Sequence, residues 1–195
     1  MAPATWNSAV KDRLRAIIEQ RSFRTGELFT LASGKQSRVF FDLKKTMLDP
    51  EGSYLAALGL LDTIQRDFSQ ASCFGGLELG AVPAVSQVCA LSHVHGSPLP
   101  AFIVRKTVKD HGTQAAIEGD LPAGSKALVF DDVTTTGGSA MKAIEALKAT
   151  SGVEVIGVVS LVDRQEGAFE AFQAQYGDAF GFQSLFEKSD FTDLI

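Results

Sequence analysis

Short apolar runs alternate with amphipathic segments through the middle of the chain, and this alternation constrains the fold more than any other feature. Four runs have the length and composition of buried strands, at residues 73–77, 101–104, 126–130 and 153–162. Helical periodicity lies between them, at residues 82–91 and 139–150. Strands that alternate with helices predict βαβ units, and hence an α/β fold with a parallel sheet and flanking helices.

The segment before this alternation predicts a different arrangement. An amphipathic helix is expected first, capped by Asn7 or Ser8. Residues 23–42 are typical of two short strands joined by a turn at 32–35. A second helix should begin at Asp49-Pro50 and run to about residue 68, because proline is favoured at the first helical position. A chain of 195 residues suits one domain with a small appendage.

Composition and charge exclude several classes of protein. A hydrophobic content of 45% is ordinary for a soluble globular protein, and the net charge of −5 argues against general binding of nucleic acid. The longest apolar stretch, residues 153–162, is interrupted by Glu154 and is shorter than the ~20 residues that span a bilayer. The N-terminus lacks a basic and then apolar signal sequence. We therefore expect a cytoplasmic protein that does not enter a membrane.

Two adjacent carboxylates, Asp131 and Asp132, follow the third apolar run. Open α/β sheets bind their ligands at this end of their strands. The next residues offer hydroxyls and backbone N–H groups at a helix N-terminus, a device that binds anions, and they are Thr134, Thr135, Thr136, Gly137, Gly138 and Ser139. A sugar phosphate suits both the carboxylates and the turn, since carboxylates accept hydrogen bonds from ribose hydroxyls while the turn holds the phosphate. A capped helix after a buried strand is the alternative, and it fits paired carboxylates poorly.

The connection between the second and third predicted strands is about twenty residues long and begins with a cluster of cations. Arg105, Lys106, Lys109 and His111 fall within seven residues. Connections of this length are usually functional or disordered. A solvated charged loop is one interpretation. Beside a phosphate site, the better one is a lid whose cations stabilise a departing diphosphate and whose histidine exchanges a proton near neutral pH.

Three smaller clusters complete the candidate site. A glycine-rich turn containing Glu78 and Gly80 can offer N–H groups to diphosphate oxygens, although such turns also serve simple packing. Arg164 follows the last predicted strand of the alternation and could hold a planar carboxylate with two hydrogen bonds, although a surface arginine is usually only solvated. Phe40 and Phe41 must point in opposite directions in a strand, so one can join the core while the other meets a flat base.

The segment at 128–139 resembles the phosphoribosyl pyrophosphate motif of the type I phosphoribosyltransferases. The clusters follow the order and spacing of the orotate phosphoribosyltransferase family, from about residue 29 to residue 167. Within that stretch three segments resemble the family's hood, catalytic loop and substrate-carboxylate site, at residues 29–35, 105–112 and 163–166. The resemblance implies a type I fold in a single domain, with a hood at about residues 20–48 and part of the C-terminal tail, over a core at about 50–165.

The resemblance also implies a reaction. Phosphoribosyl pyrophosphate and orotate would give orotidine 5′-monophosphate and diphosphate, in pyrimidine (UMP) biosynthesis. Mg²⁺ would be the cofactor, held mainly through substrate and water near the paired carboxylates. The implied catalytic residues are Lys106, Lys109, His111, Asp131 and Asp132. The implied substrate-binding residues are Arg105, Thr134, Thr135, Thr136, Gly137, Gly138, Ser139, Arg164, Phe40, Phe41, Lys35, Glu78 and Gly80. A homodimer is implied, with loop 105–119 reaching the neighbouring active site.

One position departs from the family. Familiar members carry lysine directly before the Ser-Gly of the hood, where this chain has Ala32. Lys35 or Lys44 could take over that role, or it is absent. Two alternatives therefore stay open: a type I phosphoribosyltransferase for another base, and a non-catalytic regulator that binds phosphoribosyl pyrophosphate. The complete cationic loop favours a catalyst with orotate as substrate.

Overall fold

The computed structural model describes residues 5–30, 36–106, 116–149 and 152–194. Its strands are β1 (Phe23–Thr30), β2 (Gln36–Phe41), β3 (Cys73–Leu77), β4 (Ala101–Val104), β5 (Ile117–Glu118), β6 (Lys126–Thr134), β7 (Glu154–Asp163) and β8 (Gly181–Glu187). Its α-helices are α1 (Ser8–Arg21), α2 (Lys44–Met47), α3 (Pro50–Asp67), α4 (Val82–Val94), α5 (Gly138–Lys148) and α6 (Ala168–Tyr176). A 3₁₀ helix, Lys188–Leu194, follows β8.

A six-stranded sheet forms the centre, in the order β5-β4-β3-β6-β7-β8. All neighbouring pairs are parallel except β4 with the two-residue strand β5. The predicted α/β fold with a parallel sheet is therefore confirmed. The chain moves outward from β3 to β4, then crosses to the other side of β3 at β6, and this reversal of direction opens a crevice at the carboxyl ends of β3 and β6.

Helices cover both faces of the sheet. Leu128 and Phe130 of β6 point into the cluster that contains α1, α3 and α4, whereas Ala127 and Val129 point into the cluster built with α5 and α6. This alternation follows the two-residue period of a strand. Burial of each such Leu, Val or Phe side chain contributes about 1.5–3 kcal/mol, so the two clusters hold the strands in fixed register.

β1 and β2 form a separate antiparallel sheet that an aromatic cluster ties to the C-terminal tail. Phe23 lies with its ring centroid 5.1 Å from that of Phe41 and 5.8 Å from that of Phe191. Gln87 of α4 donates to the carbonyl of Met47 at 3.0 Å, which joins α2 to the main body. The N-terminal strands are therefore anchored through both α2 and the end of the chain.

The predicted N-caps are confirmed, since Asn7 accepts a hydrogen bond from the N–H of Val10, and Asp49 accepts one from the N–H of Gly52. The predicted end of the third buried strand was wrong. Pairing with β7 continues to Thr134, so Asp131 and Asp132 lie inside β6 rather than beyond it.

Four elements were not predicted: α2, β5, β8 and the 3₁₀ helix. None of them has a clear period in the sequence, because α2, β5 and the 3₁₀ helix are short and β8 is mixed polar and aromatic. The long connection after β4 thus contains the strand β5. Among the described helices none is long and apolar enough to cross a membrane.

Candidate active site

The paired carboxylates lie at the carboxyl end of β6, in the crevice beside β3. Thr134 is fully buried, and its hydroxyl donates to Asp131 Oδ2 at 3.5 Å. Burial in the crevice, followed by the neighbouring Asp132, raises the pKa of Asp131 to about 8. Burial also raises the pKa of Asp132, and Lys44 opposes that effect. The pair is therefore poised to accept hydrogen bonds or a cation that relieves its repulsion.

The turn between β6 and α5 contains the predicted phosphate ligands. Gly137 caps α5 with a φ of 81°, a conformation that glycine adopts without strain. Gly138 begins the helix, and Gly138 and Ser139 are exposed beside the half-buried Thr135. Backbone N–H groups at this helix N-terminus can hold a phosphate. Thr134, by contrast, is placed in the strand with its hydroxyl toward Asp131.

A cleft lies against this turn and brings together residues that are far apart in the sequence. It is lined by Phe40, Phe41, Asp131, Val133, Thr135, Gly138, Ser139 and Arg164. Phe41 is buried and packs on Phe23, whereas Phe40 is half-buried and stacks on Phe29 with centroids 5.2 Å apart. Phe40 is therefore the member of the pair that is more available to a planar ligand.

Arg164 forms the charged wall of the cleft although it is only 2% exposed. Its Nη2 donates to Ser37 Oγ at 2.9 Å and lies 3.0 Å from Glu166 Oε1. Its backbone N–H donates to the carbonyl of Thr134 at 2.9 Å, which fixes it beside β6. Its buried Nε has no hydrogen-bond partner within the described part of the chain. Burying a hydrogen-bond donor without a partner costs free energy, so an anionic ligand is expected to accept the hydrogen bond from Nε.

The base of the cationic loop is well defined. Arg105 donates from Nε to Glu118 Oε1 at 2.6 Å, and its backbone N–H donates to the carbonyl of Ala116 at 2.8 Å. Glu78 Oε1 accepts a hydrogen bond from the backbone N–H of Lys106 at 2.9 Å. Glu78 thus ties the glycine-rich turn to the start of the loop. Lys106 also acts on the acidic pair, because its charge lowers the pKa of Asp131.

Three predicted site residues, Lys35, Lys109 and His111, lie outside the described residues. Lys44, the other candidate to compensate for Ala32, is described. Its Nζ lies 2.9 Å from Asp42 Oδ1, and its pKa is raised by that hydrogen bond and, to a lesser extent, by Asp132. The structure therefore places one lysine of the hood region within electrostatic reach of the acidic pair.

Ser37 and Glu166 both contact the guanidinium of Arg164. Glu166 lies in the segment at 163–166 that was predicted as the substrate-carboxylate site, but no role was predicted for it, and Ser37 was not predicted as a site residue. Ser37 could not have been found from the sequence, because its hydrogen bond to Arg164 spans 127 residues of sequence.

Known proteins are similar to this chain over nearly its whole length. A family model, the phosphoribosyl transferase domain, matches residues 75–178. An orotate phosphoribosyltransferase of Rhodopseudomonas palustris is 45% identical over 191 residues, which cover 96% of this chain and 98% of that protein. The chain belongs to the orotate phosphoribosyltransferase family.

Solved structures agree with this family assignment. Orotate phosphoribosyltransferase of Mycobacterium tuberculosis, in complex with Fe(III) dicitrate, superposes with a TM-score of 0.77 at 34% identity, covering 94% of this chain and 99% of that one. The same enzyme in complex with 5-phospho-α-D-ribosyl 1-diphosphate superposes with a TM-score of 0.73 at 31% identity, covering 93% and 98%. The predicted membership of the orotate phosphoribosyltransferase family and the type I fold are confirmed.

Proposed function

We propose that this chain transfers ribose 5-phosphate from phosphoribosyl pyrophosphate to orotate, giving orotidine 5′-monophosphate and diphosphate for pyrimidine biosynthesis. The observation that carries the proposal is the shared cleft, which is lined both by Asp131 and by buried Arg164, whose Nε has no partner in the part of the chain that the structure describes. Orotate has the features this cleft can bind: a carboxylate for Arg164 and a flat ring for Phe40.

The donor substrate would occupy the β6–α5 half of the cleft. Asp131 and Asp132 would accept hydrogen bonds from the ribose hydroxyls. The 5′-phosphate would lie on the turn and helix N-terminus formed by Thr135, Thr136, Gly137, Gly138 and Ser139, while Thr134 would support Asp131 from within β6. Diphosphate would lie toward the turn of Glu78 and Gly80, where the loop begins.

The acceptor would lie between Arg164 and the aromatic residues of β2. Arg164 would hold its carboxylate, with Phe40 against the ring and Phe41 supporting it from the core. Fixing both reactants in one orientation converts a bimolecular encounter into a positioned reaction.

The reaction then follows from charge. The bond between ribose C1 and the diphosphate oxygen breaks, and its electron pair leaves with diphosphate. The ring nitrogen of orotate releases its proton to the departing diphosphate and supplies the electron pair of the new bond to C1. Arg105, Lys106, Lys109 and His111 would stabilise the departing diphosphate, with Lys35 or Lys44 adding charge from the hood side.

The acidic pair also fits Mg²⁺. Across residues 5–30, 36–106, 116–149 and 152–194 no group of three or more His, Cys, Asp or Glu side chains could hold a metal by itself. Mg²⁺ needs only one or two carboxylates when substrate phosphates and waters complete its shell, and Asp131 and Asp132 meet that need. When bound, the ion would neutralise charge on the diphosphate.

The larger organisation is proposed on the same basis. β1, β2 and α2 would be the hood at about residues 20–48, completed by Phe191 of the tail, over a core at about 50–165. A cytoplasmic homodimer would place loop 105–119 in the neighbouring site. Dimers of Lys109→Ala mixed with dimers of Asp132→Asn should regain partial activity after subunit exchange. Confirmed exchange without any recovery would contradict the shared site.

The test is the loss of orotate absorbance after addition of phosphoribosyl pyrophosphate and Mg²⁺. Uracil, adenine and hypoxanthine at equal donor concentration distinguish an enzyme for another base. The Asp131→Asn, Asp132→Asn double variant is the matched catalytic control, and it should be nearly inactive while remaining folded. A wild-type chain that binds the donor tightly but turns over none of the four bases would support the regulator instead.

A further inference from the structure

Gln165 stands between the two charged residues of the acceptor site in a conformation that few side chains adopt. Its φ is 57°, and among the described residues it is the only one other than glycine with a positive φ. The left-handed region is uncommon for residues other than Gly, Asn and Asp, and it costs free energy. Strained residues of this kind cluster at functional sites. The positive φ of Gln165 therefore requires a physical explanation.

Three hydrogen bonds hold Gln165 in this conformation. Its backbone N–H donates to Asp163 Oδ1 at 2.9 Å. Its side-chain Nε2 donates to Glu187 Oε2 at 2.8 Å, and its Oε1 accepts from the N–H of Ser189 at 3.3 Å. Both ends of the amide are thus engaged by the last residue of β8 and the segment that follows it, although the side chain itself is exposed.

The conformation of Gln165 affects its two neighbours, Arg164 and Glu166. The hydrogen bonds of Gln165 fix the backbone that joins Arg164 to Glu166. Arg164 Nη2 lies 3.0 Å from Glu166 Oε1, while the side chain of Gln165 is exposed. That ion pair and Ser37 fix Nη2, while the buried Nε has no hydrogen-bond partner among the described residues. The orientation of the guanidinium therefore depends on the turn at Gln165.

We propose that Gln165 is a positioning residue for the acceptor carboxylate, and that residues 187–189 belong functionally to the acceptor site through its side chain. This inference rests on the proposed function, since it assigns the turn to the Arg164 half of the cleft. The donor half, at β6 and α5, makes none of these contacts and should be unaffected.

The experiment compares Gln165→Gly with Gln165→Ala. Glycine accepts a φ of 57° without strain, whereas alanine does not, and both remove the amide. If the amide positions the turn, both variants should lower kcat/KM for orotate about tenfold, which corresponds to ~1.4 kcal/mol. At saturating orotate, kcat/KM for phosphoribosyl pyrophosphate should stay within about twofold of wild type. Glu187→Ala, which removes the partner, should reproduce the effect, and combining it with Gln165→Gly should add little.

Gln183→Ala is the matched control, because it removes an exposed glutamine from the same edge of the sheet. The inference is overturned if Gln165→Gly retains the wild-type kcat/KM for orotate, or if both substrates lose kcat/KM equally along with melting temperature. The proposed function fails separately, since in that case the wild-type chain would not consume orotate at all.

Discussion

Asp132 rests its carboxylate against the backbone of Gly80: a β-carbon at position 80 would lie 2.6 Å from Asp132 Oδ1 and 2.9 Å from its Cγ. Gly80 is not among the described glycines with a positive φ, so alanine could adopt the same backbone. The glycine at this position is therefore required by the close approach of the turn after β3 to the side chain of Asp132 near the end of β6.

Gly80→Ala should displace the Asp132 carboxylate and lower kcat/KM for phosphoribosyl pyrophosphate by at least about tenfold. Steady-state kinetics with the donor varied would measure this. Leu79→Ala is the matched control, because Leu79 is 64% exposed in the same turn and should tolerate truncation. If both variants kept the wild-type kcat/KM for phosphoribosyl pyrophosphate, the present position of Asp132 would not matter for use of the donor.

Gly137 and Gly138 should respond differently to the same substitution. A β-carbon on Gly137 would lie 2.7 Å from the ring of Phe172 and would face a φ of 81°, whereas one on Gly138 would meet no protein atom within 4 Å. Gly137→Ala should therefore lower the free energy of unfolding by about 1–3 kcal/mol, measured by urea denaturation. Gly138→Ala should leave that free energy within about 0.5 kcal/mol but raise the KM for the donor. An unchanged KM would place the phosphate elsewhere.

The pH dependence of stability should report on Asp131. Its folded pKa, raised to about 8 by burial and then by Asp132, exceeds the value near 4 in the unfolded chain. The folded state therefore binds the proton more tightly, and the free energy of unfolding should fall as the pH rises from about 4 to about 8.

Asp131→Asn should flatten this decline and be more stable than the wild type by about 1–3 kcal/mol at pH 9, since solvent screens part of the full effect at a half-buried site. The two proteins should converge near pH 4. Urea denaturation without substrates, from pH 4 to pH 9, measures the difference. Asp178→Asn, at an exposed position, should keep the wild-type slope. Parallel curves for Asp131→Asn and wild type would contradict the raised pKa.

Arg164→Lys should separate recognition of the two substrates. Lysine keeps the positive charge but cannot reach Ser37 and Glu166 while also presenting a second donor to the cleft. The KM for orotate should rise at least about tenfold, while the KM for phosphoribosyl pyrophosphate changes little. If only the KM for phosphoribosyl pyrophosphate rose, Arg164 would belong to the donor half of the cleft and the proposed assignment of the two halves would be reversed.

Much of the fold was predictable because burial and periodicity coincide. β3 and β4 have the predicted bounds, since both are short apolar strands inside a covered sheet. β6 ran four residues beyond its prediction because Asp131 and Asp132 have low strand propensity, and pairing with β7 keeps this segment extended.

The site was partly predictable for a related reason. Asp131, Ser139 and Arg164 follow strands whose carboxyl ends must meet, so their convergence follows from topology. The conformation of Gln165 and the contact of Ser37 with Arg164 depend on packing between distant segments. No local pattern encodes such contacts.

The backbone hydrogen bond from Arg164 to Thr134 joins the two halves of the cleft across adjacent strands. In the proposed arrangement β6 would carry the residues for the sugar and the chain just after β7 would carry the arginine for the base. The distance between these two sets of residues is related to the spacing of neighbouring strands, about 4.8 Å. That spacing is among the least variable dimensions in proteins. A designer could therefore exchange the segment at 163–167 to accept a new nucleobase while leaving the donor and its alignment untouched.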